Sequence, residues 1–394
     1  MSNSSNRLHY IDAIRAFAIL MMLQGHFVYA LLSDEFRDRT STIYTVWEYF
    51  RGITAPTFFT ITGFVFIFLL LKNKVQGLKN PRVAKGIKRA LKLICWGYLL
   101  RLSLYALFSG KINASFLMVD VLQCIGLSLL LLIGTYVLMH RFNLRILQYT
   151  FLTIGFVIFL VHPWYDKVAL PNFPEAIANY LTSIYGSVFT IFPWFGYVCF
   201  GGFLAIIFKR FGEQPKFYPF ITSLLFAAGF ALILFSSPLL VWLHEFTGVE
   251  LFQAVAYNNF LYMRLGDVFV LFGIFITLKK LFTNPLITKI GSRTLSIYII
   301  HFFILYGTWT GLGLSKFLSR SLSGYQVIGG ALLFIFTVCF IVLTYYKNED
   351  RLLRIKNVST QYLLDLLVNA KDQILNSSSI KVVQSSYRAI KQRF

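Results

Sequence analysis

Asp12, Arg15 and His26 fall in one apolar stretch, residues 12–32, and their spacing puts them on one face of a helix. At about 100° per residue, Arg15 to His26 is three turns plus about 20°. Asp12 to His26 is about 40° short of four turns, so all three share a strip of about 60°. The stretch is long enough to cross a bilayer. Ionisable groups inside such a span are costly and usually face a bundle interior or a wet cavity. Asp12 and Arg15 also suit the plainer task of anchoring a helix end. His26 does not, because it sits roughly 16 Å further along the axis than Arg15, near mid-membrane. A neutral imidazole there suits removal of a proton from an attacking hydroxyl or amine. The planar fork of Arg15 suits a phosphate.

Other polar groups interrupt apolar runs in the same way. His301 is also about mid-membrane, with Tyr298 one turn before it. Two histidines at one depth could bind a metal, but no third ligand at metal spacing is evident, and no metal is expected. Structural hydrogen bonding is the alternative for His301. Arg51 opens R-G-I-T-A-P-T-F-F-T-I-T-G-F, residues 51–64. Pro56 and Gly63 in a span suggest a kink or a close helix approach. Thr54, Thr57, Thr60 and Thr62 can return hydrogen bonds to freed carbonyls. Arg101 reads as deep in a third span, where it needs an acidic, carbonyl or ligand partner. Asp120 and Gln123 are one turn apart at the start of a fourth, where helix capping competes with a binding role. Pro193, Trp194 and Gly196 punctuate the sixth span, and Arg264 and Asp267 in the eighth are i, i+3 neighbours able to pair.

The elements that must position these groups follow from hydropathy. The chain has 394 residues, is 57% hydrophobic and only 13% charged, which excludes a soluble domain and implies a polytopic membrane protein. Candidate spans are 12–32, 50–71, 91–109, 118–139, 147–163, 188–208, 217–243, 260–278, 290–309 and 325–346. The expected fold is therefore an all-α integral membrane protein, a bundle of about ten transmembrane helices. The first span lacks a small-residue cleavage signature and reads as a retained helix. Residues 1–346 form the membrane domain and 347–394 a basic cytoplasmic tail. Leu363, Leu364, Leu367, Val368, Ile374 and Leu375 give that tail an amphipathic helical pattern suited to a membrane surface.

The formal charge of +21 is not a nucleic-acid signal, because the basic residues sit in short loops and the tail. The loop 72–92 carries Lys72, Lys74, Lys79, Arg82, Lys85, Lys88, Arg89 and Lys92 and no acid. By the positive-inside rule it is cytoplasmic, and alternation places both termini there too. The loop around Glu245 and Glu250 has no Lys or Arg and falls outside. Cys95, Cys124, Cys199 and Cys339 all lie in apolar spans and read as core residues.

Together these motifs resemble the transmembrane acyltransferase superfamily. Arg15 and His26, ten residues apart, match the R-x10-H pattern of membrane O-acyltransferases of surface polysaccharides. A-P-T-F-F-T-I-T-G-F (55–64) resembles their F-F-x-x-S-G-F segment. D-V-L-Q-C-I-G-L (120–127), F-P-W-F-G-Y-V-C-F-G-G (192–202) and I-G-S-R-T-L-S-I-Y-I-I-H (290–301) look closer to bacterial relatives of heparan-α-glucosaminide N-acetyltransferase. The resemblance covers roughly residues 7–346.

It implies transfer of an acyl group, most simply acetyl, from cytoplasmic acyl-CoA to a sugar hydroxyl or amine of a glycan or glycolipid. His26 is then the general base, with His301 and Asp12 assisting. Arg15, Arg89 and Arg101 would hold the donor. Arg51, Asp120, Gln123, Trp194, Arg264, Asp267 and Tyr298 would face the acceptor. The stretch 33–49 contains no histidine, so an acyl-histidine on that loop is excluded. The expected setting is a bacterial cytoplasmic membrane, with lipid and the acceptor as partners, no nucleic acid, and a homo-oligomer left open. The rival class is a transporter or lipid flippase that uses the same charged residues as a substrate path.

Overall fold

The computed structural model describes residues 8–351 and, beyond them, Leu353, Arg354, Gln361 and Leu366. The helix expected around Leu363, Leu364, Leu367, Val368, Ile374 and Leu375 lies outside the described residues. Each of the ten apolar segments is helical. The helices are α1 (His9–Leu31), α2 (Thr42–Leu71), α3 (Pro81–Arg101), α4 (Val121–Met139) and α5 (Leu144–Leu160). They continue as α6 (Ile191–Phe211), α7 (Phe217–Thr247), α8 (Phe260–Thr277), α9 (Pro285–Ser292), α10 (Thr294–Tyr306) and α11 (Gly324–Lys347). Among the described residues there is no β-strand, only the isolated bridges Leu32–Leu322 and Ser103–Trp309. Among the described residues, seven helices (α1, α2, α4, α6, α7, α8 and α11) are long and apolar enough to cross a membrane. The protein is an all-α integral membrane protein. A first compact unit closes at Cys339, inside α11, and a second begins at Phe340.

Two elements differ from the hydropathy reading. The third span is expected at 91–109, but α3 starts ten residues earlier and ends at Arg101. Its start is set by local chemistry. The Asn80 side chain accepts from the Arg82 amide at 2.9 Å and donates to the Leu70 carbonyl at 3.1 Å, with Pro81 in the first turn. Val83, Gly86, Ala90, Leu93, Gly97 and Leu100 bury one face at helical spacing, while lysines on the other face depress the mean hydropathy. Arg101 is therefore the last residue of its helix and not deep in a span. The ninth span, expected at 290–309, is broken at Arg293 into α9 and α10.

Close approaches fix how the helices cross. A Cβ on Gly63 of α2 would overlap the Val198 carbonyl of α6, and a Cβ on Gly201 of α6 would overlap the Thr60 carbonyl of α2. The two glycines form a reciprocal small-residue crossing that lets backbones touch. Gly229 and Gly266 do the same for α7 and α8, each facing the other's carbonyl. Gly291 of α9 lies against the Asp12 carbonyl, which locks the start of α1 beside α9. In α2, Thr57 and Thr62 donate to the carbonyls of Ile53 and Phe58 at 2.8 and 2.7 Å. The Thr54 and Thr60 hydroxyls are buried without a hydrogen-bond partner among the described residues.

Candidate active site

These crossings leave a cavity of about 780 Å³ between α1, α2, α3, α4, α8 and α10. Its middle is apolar, with Met22, Phe58, Leu93 and Ile125 on the wall. Its polar groups gather at two ends. Arg15, Arg89 and Thr294 line the end nearer the basic loop 72–92. There Arg15 donates to Thr294 Oγ1 at 3.2 Å and lies 3.7 Å from Asp12. Arg51, Arg101, Asp120, Trp194 and Arg264 line the other end.

His26 stands on the same cavity wall. It is level with the second end, because its neighbour Gly25 packs against the Arg51 side chain. The His26 Nδ1 is 3.2 Å from the Tyr306 hydroxyl. Behind it lies His301, fully buried, its ring perpendicular to that of His26 at 5.2 Å between centroids. Neither His301 nitrogen makes a well-formed hydrogen bond among the described residues. The second end is also firmly built. Arg101 donates to Asp120 Oδ2 and to the Ser115 carbonyl, both at 3.2 Å. Arg264 donates to Asp267 at 3.0 Å and stacks on Tyr49, whose hydroxyl donates to Asp267 at 2.6 Å. Arg51 stacks on Tyr29 at 4.3 Å. Trp194 is held against Phe59 and Phe189.

Residues 8–346 match the family described as an acyltransferase domain. The chain belongs to this acyltransferase family. No curated protein matches it.

Of the residues singled out in the acyltransferase sequence, nine line the one cavity: Arg15, His26, Arg51, Arg89, Arg101, Asp120, Trp194, Arg264 and Tyr298. Four do not: Asp12, His301, Gln123 and Asp267. Asp12 is paired with Arg15 at the far end, about 21 Å along α1 from His26, so it cannot share reacting atoms with that ring. His301 does not line the cavity; its ring packs against His26, Tyr298 and Phe302, which do. The Gln123 side chain accepts from the Asp120 amide as half of a capping box. Asp267 is buried beneath Arg264 and Tyr49 and does not face an acceptor directly. Asp120 does both of the things open to it, capping α4 through the Val121 amide and lining the cavity. Arg101 lies about 18 Å along α3 from Arg89, at the end away from Arg15, so it does not join those two in one phosphate site.

Sequence reasoning missed Tyr306 and Thr294. Tyr298, Phe302 and Tyr306 recur every four residues on α10 and line the cavity together. That period was the available signal for Tyr306. Thr294 had none, because its place depends on the break at Arg293.

Proposed function

We propose that the enzyme moves an acyl group, most simply acetyl, from cytoplasmic acyl-CoA to a hydroxyl or amine of a glycan or glycolipid. The observation that carries this reading is His26 on the wall of a cavity that has a cationic end at Arg15 and Arg89 and, level with His26, an end rich in paired charges and aromatic rings. The positive-inside rule, applied to the basic loop 72–92, supports a cytoplasmic setting for the first end. There Arg15 and Arg89 suit the phosphates of the donor, whose pantetheine arm then runs along the apolar middle. The resemblance of the motifs at 55–64, 120–127 and 192–202 to those of sugar-modifying acyltransferases supports a sugar acceptor at Arg51, Trp194 and Arg264.

The chemistry balances in a direct transfer. With its Nδ1–H donating to the Tyr306 oxygen, His26 has Nε2 free to take a proton. The acceptor oxygen or nitrogen attacks the thioester carbonyl as His26 removes its proton. The tetrahedral intermediate then collapses, the C–S bond breaks, and the thiolate leaving group recovers that proton. Acylated acceptor and free CoA result, with His26 neutral again.

Donor binding at Arg15 has its own signature. Replacing Arg15 with lysine keeps the charge but loses the fork, and should raise the KM for acetyl-CoA about tenfold, equivalent to about 1.4 kcal/mol. The acceptor KM should stay within twofold. Steady-state kinetics with each substrate varied in turn checks this. An unchanged donor KM in a folded Arg15→Lys protein would make Arg15 a partner of Asp12 and Thr294 only.

A further inference from the structure

Helix α3 carries exposed charge at a depth where lipid does not tolerate it. Packing sets that depth. Gly86 of α3 lies against Phe66 of α2 and Ile133 of α4, and Gly126 of α4 lies against the Ala90 carbonyl. Both partner helices are long and apolar enough to cross a membrane. Yet Arg82, Lys85, Arg89 and Lys92 of α3 are all exposed. At about 100° per residue they fall in one strip about 80° wide. Lys92 is about 16 Å from the first residue of α3, too far to reach the membrane surface by bending back. Exposed cations at such depth face a wet space and not lipid. Arg89 identifies that space, because it lines the cavity that His26 also lines.

The strip has no counter-charge of its own. The sequence has no Asp or Glu between Glu48 and Asp120. Among the described residues, none of the four side chains makes a hydrogen bond or an ion pair. Depth divides the strip into two levels. Gly25 of α1 packs on Arg51 of α2, and Gly86 packs on Phe66, about 22 Å further along α2. Arg15 is about 15 Å from Gly25 in the same direction. Arg89 and Lys92 therefore lie within about 3 Å of the level of Arg15, and Lys85 about 9 Å beyond it, toward the loop 72–80. Arg82 is one turn further.

The phosphates of CoA also stand at two levels. A pyrophosphate adjoins the pantetheine arm, and a separate 3′-phosphate sits on the ribose. The pyrophosphate matches Arg15, Arg89 and Lys92. The 3′-phosphate is a monoester of charge about −1.5 to −2, and the compact ammonium of a lysine suits it. We infer that Lys85, with Arg82, is a subsite for a phosphomonoester, the 3′-phosphate of the donor, and that it makes the enzyme select CoA thioesters over thioesters lacking that group. This rests on the acyl-CoA reading above. A lipid phosphate is the other source of the same chemistry, and the test separates the two.

The full chain is placed in nanodiscs of phosphatidylcholine, and equilibrium binding of acetyl-CoA and of acetyl-3′-dephospho-CoA is measured. The wild-type protein should prefer acetyl-CoA by about tenfold. Lys85→Gln should cut that preference several-fold, and Lys85→Gln combined with Arg82→Gln should abolish it. In both, acetyl-CoA binds more weakly while the dephospho donor binds as before. Lys88→Gln is the control. It removes a charge exposed on the same helix but about 100° round from Arg89, and should change neither affinity. All three positions are exposed, so the substitutions carry little risk to folding. Three results would overturn the subsite: equal affinity of the wild-type protein for the two donors, a preference that survives the double variant, or a loss in Lys88→Gln equal to that in Lys85→Gln. The first two are what a lipid-phosphate site gives. The acyl-CoA reading fails separately, if neither thioester binds, and the subsite falls with it.

Discussion

Replacing His26 with alanine should lower the turnover of acyl transfer by about 10²–10⁴-fold, the usual cost of losing a general base. Donor affinity should hardly move. Arg15 lies roughly 16 Å away along α1, and its contacts with Asp12 and Thr294 do not involve the imidazole. The substitution frees the Tyr306 hydroxyl and opens space beside His301, so a folding check belongs with it. Turnover with labelled acetyl-CoA, donor affinity by equilibrium binding, and the elution profile in detergent together separate chemistry from collapse. A folded His26→Ala protein with near-full turnover would remove His26 from the reaction. Recovery of the acyl group on the His26 ring of the wild-type enzyme would replace direct transfer by a covalent two-step route.

The second large effect is on stability. Gly63→Ala and Gly201→Ala should each destabilise the protein by about 1–3 kcal/mol or more. In both cases the added Cβ meets a backbone carbonyl of the facing helix, not the movable end of a side chain. Helices α2 and α6 must part for it to fit, and α2 carries Arg51, Phe58 and Thr62 on the cavity wall. Gly134 of α4 is the control, since a Cβ there meets open space. Gly134→Ala should be neutral or stabilise by up to about 1 kcal/mol through helix propensity. Thermal melts of the purified protein in detergent check all three. Equal melting temperatures for Gly201→Ala and Gly134→Ala would contradict the crossing.

What could be read from the sequence was whatever depends on position along a helix. Arg15 and His26 share a face by arithmetic, and both line the cavity. The apolar runs gave most of the segments close to their observed bounds, the exceptions being the early starts of α2 and α3 and the break between α9 and α10. What could not be read depends on rotation about a helix axis and on interleaved charge. The start of α3 was hidden because its lysines alternate with the buried face at Val83, Gly86 and Ala90, and a window average cannot separate the two. The error moved Arg101 inward on paper, whereas it closes α3 on the cavity wall. Gln123 and Asp267 have the right residue type and depth, but neither lines the cavity: Gln123 Oε1 accepts from the Asp120 amide, and the Asp267 carboxylate pairs with Arg264 and Tyr49. Sequence spacing shows that such residues are near a site. It does not show which of them the local network has already consumed.

The central claim is that the acyl carbonyl of the donor reaches His26 inside the main cavity. The most direct measurement uses butyryl-CoA carrying a diazirine on its acyl chain, irradiated on the purified enzyme, with the labelled residues located by mass spectrometry. The account predicts adducts on His26 and its cavity neighbours Gly25, Tyr298, Phe302 or Tyr306, suppressed by excess acetyl-CoA and weakened by Arg15→Lys. Competable adducts confined to the loop 72–92 or to the lipid-facing sides of the helices, with none around His26, would contradict it.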